Sequence, residues 1–98
     1  MEENKIYKIG KSKDIQYIAS RDFKEISKGD ILIFDTAKKK LKNKKIFLLT
    51  FKKKVICAEY QEKDSLFIYG NQSKDCFYTF SKDIKILGQL KTAFFIKK

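Results

Sequence analysis

The segment IFLLTFKKKVICAEY (residues 46–60) contains two apolar runs that are separated by three lysines. Residues 46–51 and 55–60 are rich in isoleucine, phenylalanine and other residues that favour β-strands, and neither run has the period of a helix. Lysines at positions 52–54 suit a solvated turn, and their charge discourages the edge-to-edge aggregation of strands. The segment therefore predicts a β-hairpin, with antiparallel strands on the two sides of the turn.

Similar short runs follow one another along the chain at intervals of about ten residues. Each run contains β-branched or aromatic residues and is bounded by Lys, Asp, Asn or Gly. The strands predicted beyond the hairpin are residues 5–9, 15–20, 30–35, 65–70, 76–80 and 85–96. One short helical turn is expected over SRDFKEIS (20–27), directly after Ser20. The pattern predicts a single, mostly β domain over residues 1–98, built from antiparallel neighbours.

The chain carries a formal net charge of +11, which attracts the phosphates of nucleic acids without regard to sequence. Of its 23 basic residues, however, only Arg21 is an arginine, and lysine lacks the bidentate fork that reads bases. The lysines cluster between apolar runs, at 37–45 and 51–55, as is typical of a solvated surface. One alternative is therefore kept, a free-standing basic β-barrel that binds nucleic acid non-specifically. Its stacking platforms would be Tyr60, Phe67, Tyr69, Phe77 and Tyr78, although aromatic residues on strands more often belong to the core.

Composition also excludes several classes of site. Cys57 and Cys76 form no CxxC pair and the chain has no histidine, so we expect no metal site and no cofactor. Both cysteines are interpreted as small buried side chains in a reducing cytosol. No apolar run approaches the roughly 20 residues of a membrane span. The first residues, MEENKIYKIGKSK (1–13), lack the apolar region of a secretion signal, so we predict a cytoplasmic protein with no membrane partner.

A second segment, SRDFKEISKGDILIFD (20–35), places Ser20 nine residues before Gly29 and Asp30, which lead into an apolar run. This order resembles the start of the catalytic domain of LexA and the phage repressors, the self-cleaving serine–lysine peptidases. Three further parts of the chain resemble this family. Residues 43–60 resemble the family's second hairpin, residues 66–80 its strand–turn–strand unit, and residues 84–98, with Gly88, its closing segment. The resemblance covers residues 15–98, with residues 1–14 as a leading segment. It implies an antiparallel β fold of the LexA and signal-peptidase type.

The chemistry of that family requires a serine and a lysine, because a serine hydroxyl must lose its proton to a neutral, buried base. In the family the lysine is the fourth residue of the strand after the hairpin, and counting from Val55 places Ala58 at that position. Lys54 shares a strand face with Ala58 but is about 13 Å distant along a strand, in a hydrated turn. A register shifted by one residue would offer Cys57 or Glu59, and neither is a lysine. The resemblance therefore implies that the catalytic pair is broken and that the chain is not an enzyme.

Other departures from the family agree with this. Ile18 and Arg21 replace the glycine and methionine that flank the family's serine, and the chain contains no Ala-Gly or Cys-Gly dipeptide to be cleaved. We therefore expect Ser20 to hold a vestigial nucleophile position and to cap the helical turn that follows. An ordinary turn serine is the alternative. Gly29 and Asp30 are expected to turn the chain at the end of the serine loop and at the start of the next strand.

By resemblance, the chain is expected to be a catalytically inactive dimerisation or regulatory domain of a phage-type or SOS-type transcriptional repressor. A homodimer is expected, with an interface formed by Ala93, Phe94, Phe95 and Ile96, some of which would also face the core of their own domain. DNA would be bound only indirectly, through a helix-turn-helix domain that is not present in this chain. An active self-cleaving peptidase is the least favoured alternative, since it requires a lysine where the sequence has Ala58.

Overall fold

A computed structural model describes residues 6–8, 13–80 and 83–94 of the chain, and for residues 6–8 and 94 it describes the backbone. The described residues form eight strands, which all belong to one antiparallel sheet. These strands are β1 (Ile6–Lys8), β2 (Asp14–Ile18), β3 (Ile31–Asp35), β4 (Ile46–Phe51), β5 (Lys54–Gln61), β6 (Leu66–Ile68), β7 (Cys76–Tyr78) and β8 (Ile84–Phe94). Their order in the sheet is β1-β2-β3-β8-β4-β5-β6-β7. The predicted mostly β, antiparallel fold is confirmed.

The hairpin predicted over residues 46–60 is present as β4 and β5. Phe51 pairs with Lys54, so the turn between the two strands consists of Lys52 and Lys53 alone. Both residues have positive φ angles, 52° and 68°, which is the backbone of a type I′ turn. This turn type matches the right-handed twist of paired strands, although asparagine and glycine adopt it more readily than lysine does. The hairpin register is therefore fixed by the shortest connection that two antiparallel strands allow.

The prediction of a helical turn over residues 20–27 is wrong, because no α-helix occurs in the described ranges 6–8, 13–80 and 83–94. The backbone of Phe23 instead exchanges hydrogen bonds with Ile26 at 2.8 and 2.9 Å, and Lys24 between them has a φ of 55°. Two aspartates also accept backbone hydrogen bonds, from Lys28 N–H to Asp22 Oδ1 and from Ser27 N–H to Asp30 Oδ2. Such side-chain acceptors compete with helical hydrogen bonds for the backbone N–H groups. The segment is a compact, irregular loop, which we call the serine loop (residues 19–30).

Strand β8 lies at the centre of the sheet, between β3 and β4, although it is the last described strand of the chain. Its pairing shifts register twice, opposite Ile33/Phe34 of β3 and opposite Leu48/Leu49 of β4. Such bulges bend a strand and increase its local twist. Strand β8 therefore curves the sheet, so that both of its faces enclose apolar side chains.

Two groups of buried side chains lie on the two faces of the sheet. The first cluster comprises Tyr17, Ala19, Phe23, Ile26, Leu32, Phe34 and Leu48. The second cluster comprises Leu49, Ala58 and Phe67. Leu48 and Leu49 are neighbours on β4 and belong to different clusters, because successive side chains of a strand point to opposite faces. Among the described residues, no helix has the length and apolar character needed to cross a membrane.

Candidate functional site

A cavity of about 420 Å³ lies between the serine loop and the hairpin formed by β4 and β5. Parts of β2, β7 and the segment that follows β6 complete its wall. The residues that line it are Tyr17, Ala19, Ser20, Arg21, Phe23, Ile26, Phe51, Lys52, Lys54, Val55, Ile56, Cys57, Tyr69, Cys76 and Phe77. Aromatic and aliphatic side chains predominate, and hydroxyl, thiol and cationic groups supplement them. The cavity contains the predicted site residue Ser20.

The hydroxyl of Ser20 lies beside the phenol of Tyr17, with 3.2 Å between Ser20 Oγ and Tyr17 Oη. Tyr17 is 1% exposed, and burial raises the pKa of its phenol above the ordinary value, although the contact with Ser20 lowers it in part. Tyr17 is therefore protonated at neutral pH and cannot take a proton from Ser20. Ser20 itself is exposed, and with no helix after it, it caps none. Sequence reasoning did not single out Tyr17.

Of the neighbouring β5 residues Cys57 and Ala58, Cys57 lines the cavity and Ala58 does not. Cys57 packs against the first cluster, to which Tyr17 belongs, and it lines the cavity. Ala58 is 0% exposed, belongs to the second cluster and is absent from the cavity lining. The expected alignment of Ala58 with Ser20 is thus not what the structure shows, because alternation along β5 points the two neighbours to opposite faces. The register alternative that offered Cys57 matches the observed geometry.

The thiol of Cys57 is not a substitute for the missing base. The residue retains some solvent exposure, but its sulfur is desolvated, and this burial raises the pKa of the Cys57 thiol to about 12. A thiol with such a pKa stays protonated near neutral pH, so it acts neither as a nucleophile nor as a base. Lys54 also lines the cavity, but its side chain is exposed, and the described residues place no amine within hydrogen-bonding distance of Ser20.

Arg21, the single arginine of the chain, lies at the cavity and is held on one side. Its guanidinium lies 5.1 Å from the centre of the Tyr69 ring, and its Nη1 lies 3.8 Å from Asp75 Oδ1. The other carboxylate oxygen of Asp75 accepts a hydrogen bond from the backbone N–H of Gln72. At 3.8 Å the contact with Asp75 is too long for a direct hydrogen bond, and Arg21 is about half exposed. Among the described residues, the guanidinium thus has no direct hydrogen bond to Asp75, and its five N–H donors can serve a ligand.

Gly29 and Asp30 close the serine loop. Asp30 is 1% exposed, and its carboxylate accepts a hydrogen bond of 2.7 Å from the backbone N–H of Ser27. Gly29 has a φ of 98°, a conformation that favours glycine, and its N–H donates to Ala19 O. Both residues thus have a structural role, holding the ends of the loop together at the start of β3.

An ion pair fixes the opposite side of the loop. Lys24 Nζ contacts the carboxylate of Glu59 on β5, and the side-chain amide of Gln61 donates to the same carboxylate. Glu59 is buried, whereas Lys24 is half exposed. The backbone N–H of Lys24 also donates to Asn71 Oδ1. The serine loop is therefore tied to β5 and to the turn before β7.

The predicted dimer interface is described only in part. Ala93 is half-buried and packs against the first cluster of its own domain. Phe94 pairs through its backbone with Ile31 of β3, and its side chain lies outside the described part of the chain. Phe95 and Ile96 also lie outside the described residues. One of the four positions, Ala93, therefore faces its own core.

Most of the aromatic residues that the nucleic-acid alternative requires for stacking pack into the domain. Phe67 is fully buried in the second cluster, and Tyr60, Tyr69 and Phe77 pack against that cluster. Of the five candidates, Tyr78 is exposed, and it stacks on exposed Phe80 with ring centres 5.0 Å apart. Base stacking requires free ring faces, so this alternative retains the charge of the chain as its main support. The described residues hold no group of three or more side chains suited to bind a metal ion.

Comparisons of the chain with models of protein families, with curated proteins and with solved structures found no match.

The buried thiol predicts a specific alkaline loss of stability. The unfolded chain releases the Cys57 proton near the ordinary pKa of 9.0, whereas the folded chain retains it up to about 12. The free energy of unfolding should therefore fall between these two pH values, by up to about 1.4 kcal/mol per pH unit. Cys57→Val should lack this component, while it keeps every other titrating group.

Urea denaturation of both proteins at about pH 8 and about pH 10.5 measures the effect. As the pH rises, the free energy of unfolding should fall more for the parent than for Cys57→Val. A difference that is the same at both pH values would show that the Cys57 thiol ionises in the folded protein as it does in water.

Proposed function

We propose that the chain is a catalytically inactive, peptidase-like domain of the LexA and phage-repressor type, which serves regulation of transcription by pairing with a second copy in the cytoplasm. The absence of catalysis in this proposal is supported by the groups that surround Ser20. Its hydroxyl meets a protonated phenol, and the β5 side chain on that side is a protonated thiol. A serine nucleophile needs an adjacent base, and the described residues supply none.

The regulatory part of the proposal is supported by the order of the elements. The serine loop, the short hairpin and the long closing strand follow one another as the resemblance to the repressor domain implies. Dimerisation would let a repressor hold two DNA half-sites at once, which raises the affinity far above that of one site. DNA contact is assigned to a helix-turn-helix domain on the same repressor. Within this domain, pairing is the activity to be tested.

Sedimentation equilibrium of the full chain at micromolar concentration tests the pairing. We expect a dimer, and we expect Phe94→Asp combined with Phe95→Asp to yield a folded monomer. Phe80→Asp is the matched control, because Phe80 is an exposed phenylalanine outside the predicted interface and its loss should leave the dimer intact. Circular dichroism establishes that each variant is folded. A parent that stays monomeric at high concentration would contradict the proposed pairing.

A serine-directed fluorophosphonate tests the non-catalytic part separately. The parent should not gain the mass of the adduct, even after incubation at alkaline pH, where a lysine base would become neutral. Cys57→Lys and Ala58→Lys form a matched pair, because Cys57 lines the cavity and Ala58, its neighbour on the opposite face of β5, does not. Labelling of the parent that disappears in Ser20→Ala would show an active nucleophile and would overturn this part of the proposal.

A further inference from the structure

We propose that the cavity beneath the serine loop is a binding site for a small apolar carboxylate, a molecule with an alkyl or aryl body and one anionic head. The proposal goes beyond the function given above and does not depend on it. Three observations carry it: the size of the cavity, the aromatic character of its walls and the sign of the charges that surround it.

The size and walls of the cavity suit the apolar body of such a ligand. Its volume of about 420 Å³ lies within the range of roughly 300–1,000 Å³ in which small molecules bind. Phe77 is one of five aromatic residues in the wall, and its ring centre lies 4.3 Å from that of Phe51 and 5.8 Å from that of Tyr69. Val55 and Ile56 add aliphatic surface. An apolar molecule would gain free energy by transferring its surface from water to these side chains.

Among the described residues, the charged groups that line the cavity are all positive. They are Arg21, Lys52 and Lys54, and no described aspartate or glutamate lines it. Two of these three cations lie over aromatic rings of the wall, with Arg21 at 5.1 Å from the ring centre of Tyr69 and Lys52 at 5.3 Å from that of Phe51. These contacts place positive charge where the apolar surface ends. A ligand with an apolar body and a negative end matches this arrangement.

The chemistry of the polar groups favours a carboxylate as the anionic head. Arg21 presents a planar guanidinium whose paired N–H groups fit the two oxygens of a carboxylate, and its neighbour Asp75 occupies it only at 3.8 Å. Ser20 and Tyr17 also line the cavity, and because one of their hydroxyls donates to the other, the pair retains one further O–H donor. A nucleobase is a poorer fit, because Phe51 and Phe77 stack directly on each other and leave no space for a base between their rings.

Decanoate is the probe, and decanol and decylamine are its matched controls with the same alkyl chain. Binding to the full-length chain is measured by isothermal titration calorimetry and by changes in backbone amide NMR signals. We expect decanoate to bind at least about tenfold more tightly than decanol, a difference that one charge-assisted contact supplies, and decylamine more weakly still. Equal affinity for the three probes would show unspecific apolar binding and would overturn the proposal.

Substitutions locate the head of the ligand. Arg21→Gln and Lys52→Gln should each weaken decanoate binding by about tenfold and leave decanol binding unchanged. Lys63→Gln is the matched control, because it removes an exposed lysine outside the cavity. Decanoate should also slow the alkylation of the Cys76 thiol, which lines the cavity. If folded Arg21→Gln binds decanoate as tightly as the parent does, the proposed site is overturned. Sedimentation of the same variants measures pairing, so that a failure of ligand binding can be told apart from a failure of dimerisation.

Discussion

Replacing Gly88 with alanine should lower the free energy of unfolding by about 3 kcal/mol, because the new methyl group has no space in the tightly packed centre of the sheet. A Cβ atom on Gly88 would lie 2.6 Å from the carbonyl oxygen of Asp35 and 3.1 Å from Cα of Thr36. Both are backbone atoms, which a rotamer change cannot move. Asp35 is itself held by pairing with Asp14 on one side and Gln89 on the other.

Gly29→Ala is the informative comparison for Gly88→Ala. A Cβ on Gly29 meets nothing within 4 Å, so its cost comes from the positive φ alone and should be only about 1–2 kcal/mol. Urea denaturation followed by circular dichroism measures both variants. A loss below about 1 kcal/mol for Gly88→Ala would mean that β3 and β8 separate more easily than this packing implies.

Asp30→Ala should destabilise the protein by about 3 kcal/mol, which is the upper end for the loss of a buried, charged hydrogen-bond acceptor. The carboxylate of Asp30 is almost fully buried and accepts the Ser27 N–H at 2.7 Å, so its removal leaves that donor without its partner. The backbone of Asp30 also joins the loop to Ala19 and Ser27. The serine loop should therefore loosen, with amide hydrogen exchange increasing at residues 19–30 before it increases in the strands.

Two further substitutions separate charge from geometry at this position. Asp30→Asn keeps an oxygen acceptor and should recover about half of the loss. Asp22→Ala removes an exposed carboxylate that bonds Lys28 N–H in the same loop, and should cost no more than about 1 kcal/mol. Equal losses in Asp30→Ala and Asp22→Ala would contradict the assignment of Asp30 as the main anchor of the loop.

The strands were predictable because each carries its own signal. Apolar, β-branched runs with charged boundaries predicted all eight strands, and the three-lysine gap located the β4–β5 turn. The helical turn expected at 20–27 is not formed, although Ser20 is a residue type that often caps helices. The side chains of two aspartates instead bind backbone N–H groups of the loop: Asp22 accepts from Lys28, and Asp30 accepts from Ser27. A choice between capping a helix and closing a loop depends on tertiary contacts, which one short segment does not reveal.

Of the residues that form the candidate site, the sequence singled out Ser20. Ser20 lines the cavity together with its sequence neighbours Tyr17 and Arg21, but Cys57 comes from β5, 37 residues further along the chain, and only folding brings it there. Alternation along 55–60 does indicate that Cys57 and Ala58 face opposite sides of a strand. It does not indicate which side meets the serine loop, because that depends on the twist of the whole sheet. A position count from the turn therefore selected Ala58, one residue away from the side chain that lines the cavity.

The place of β8 in the sheet also has a consequence for synthesis on the ribosome. Strands β1 to β3 and strands β4 to β7 each form a run of neighbours that pair in the order in which they are made. β3 and β4, however, are joined only through β8, which spans residues 84–94. The two halves must therefore wait, with their facing edges unpaired, until residue 94 has left the exit tunnel. Unpaired strand edges invite association with other chains, so a pause in translation before β8 would prolong the aggregation-prone period of this protein.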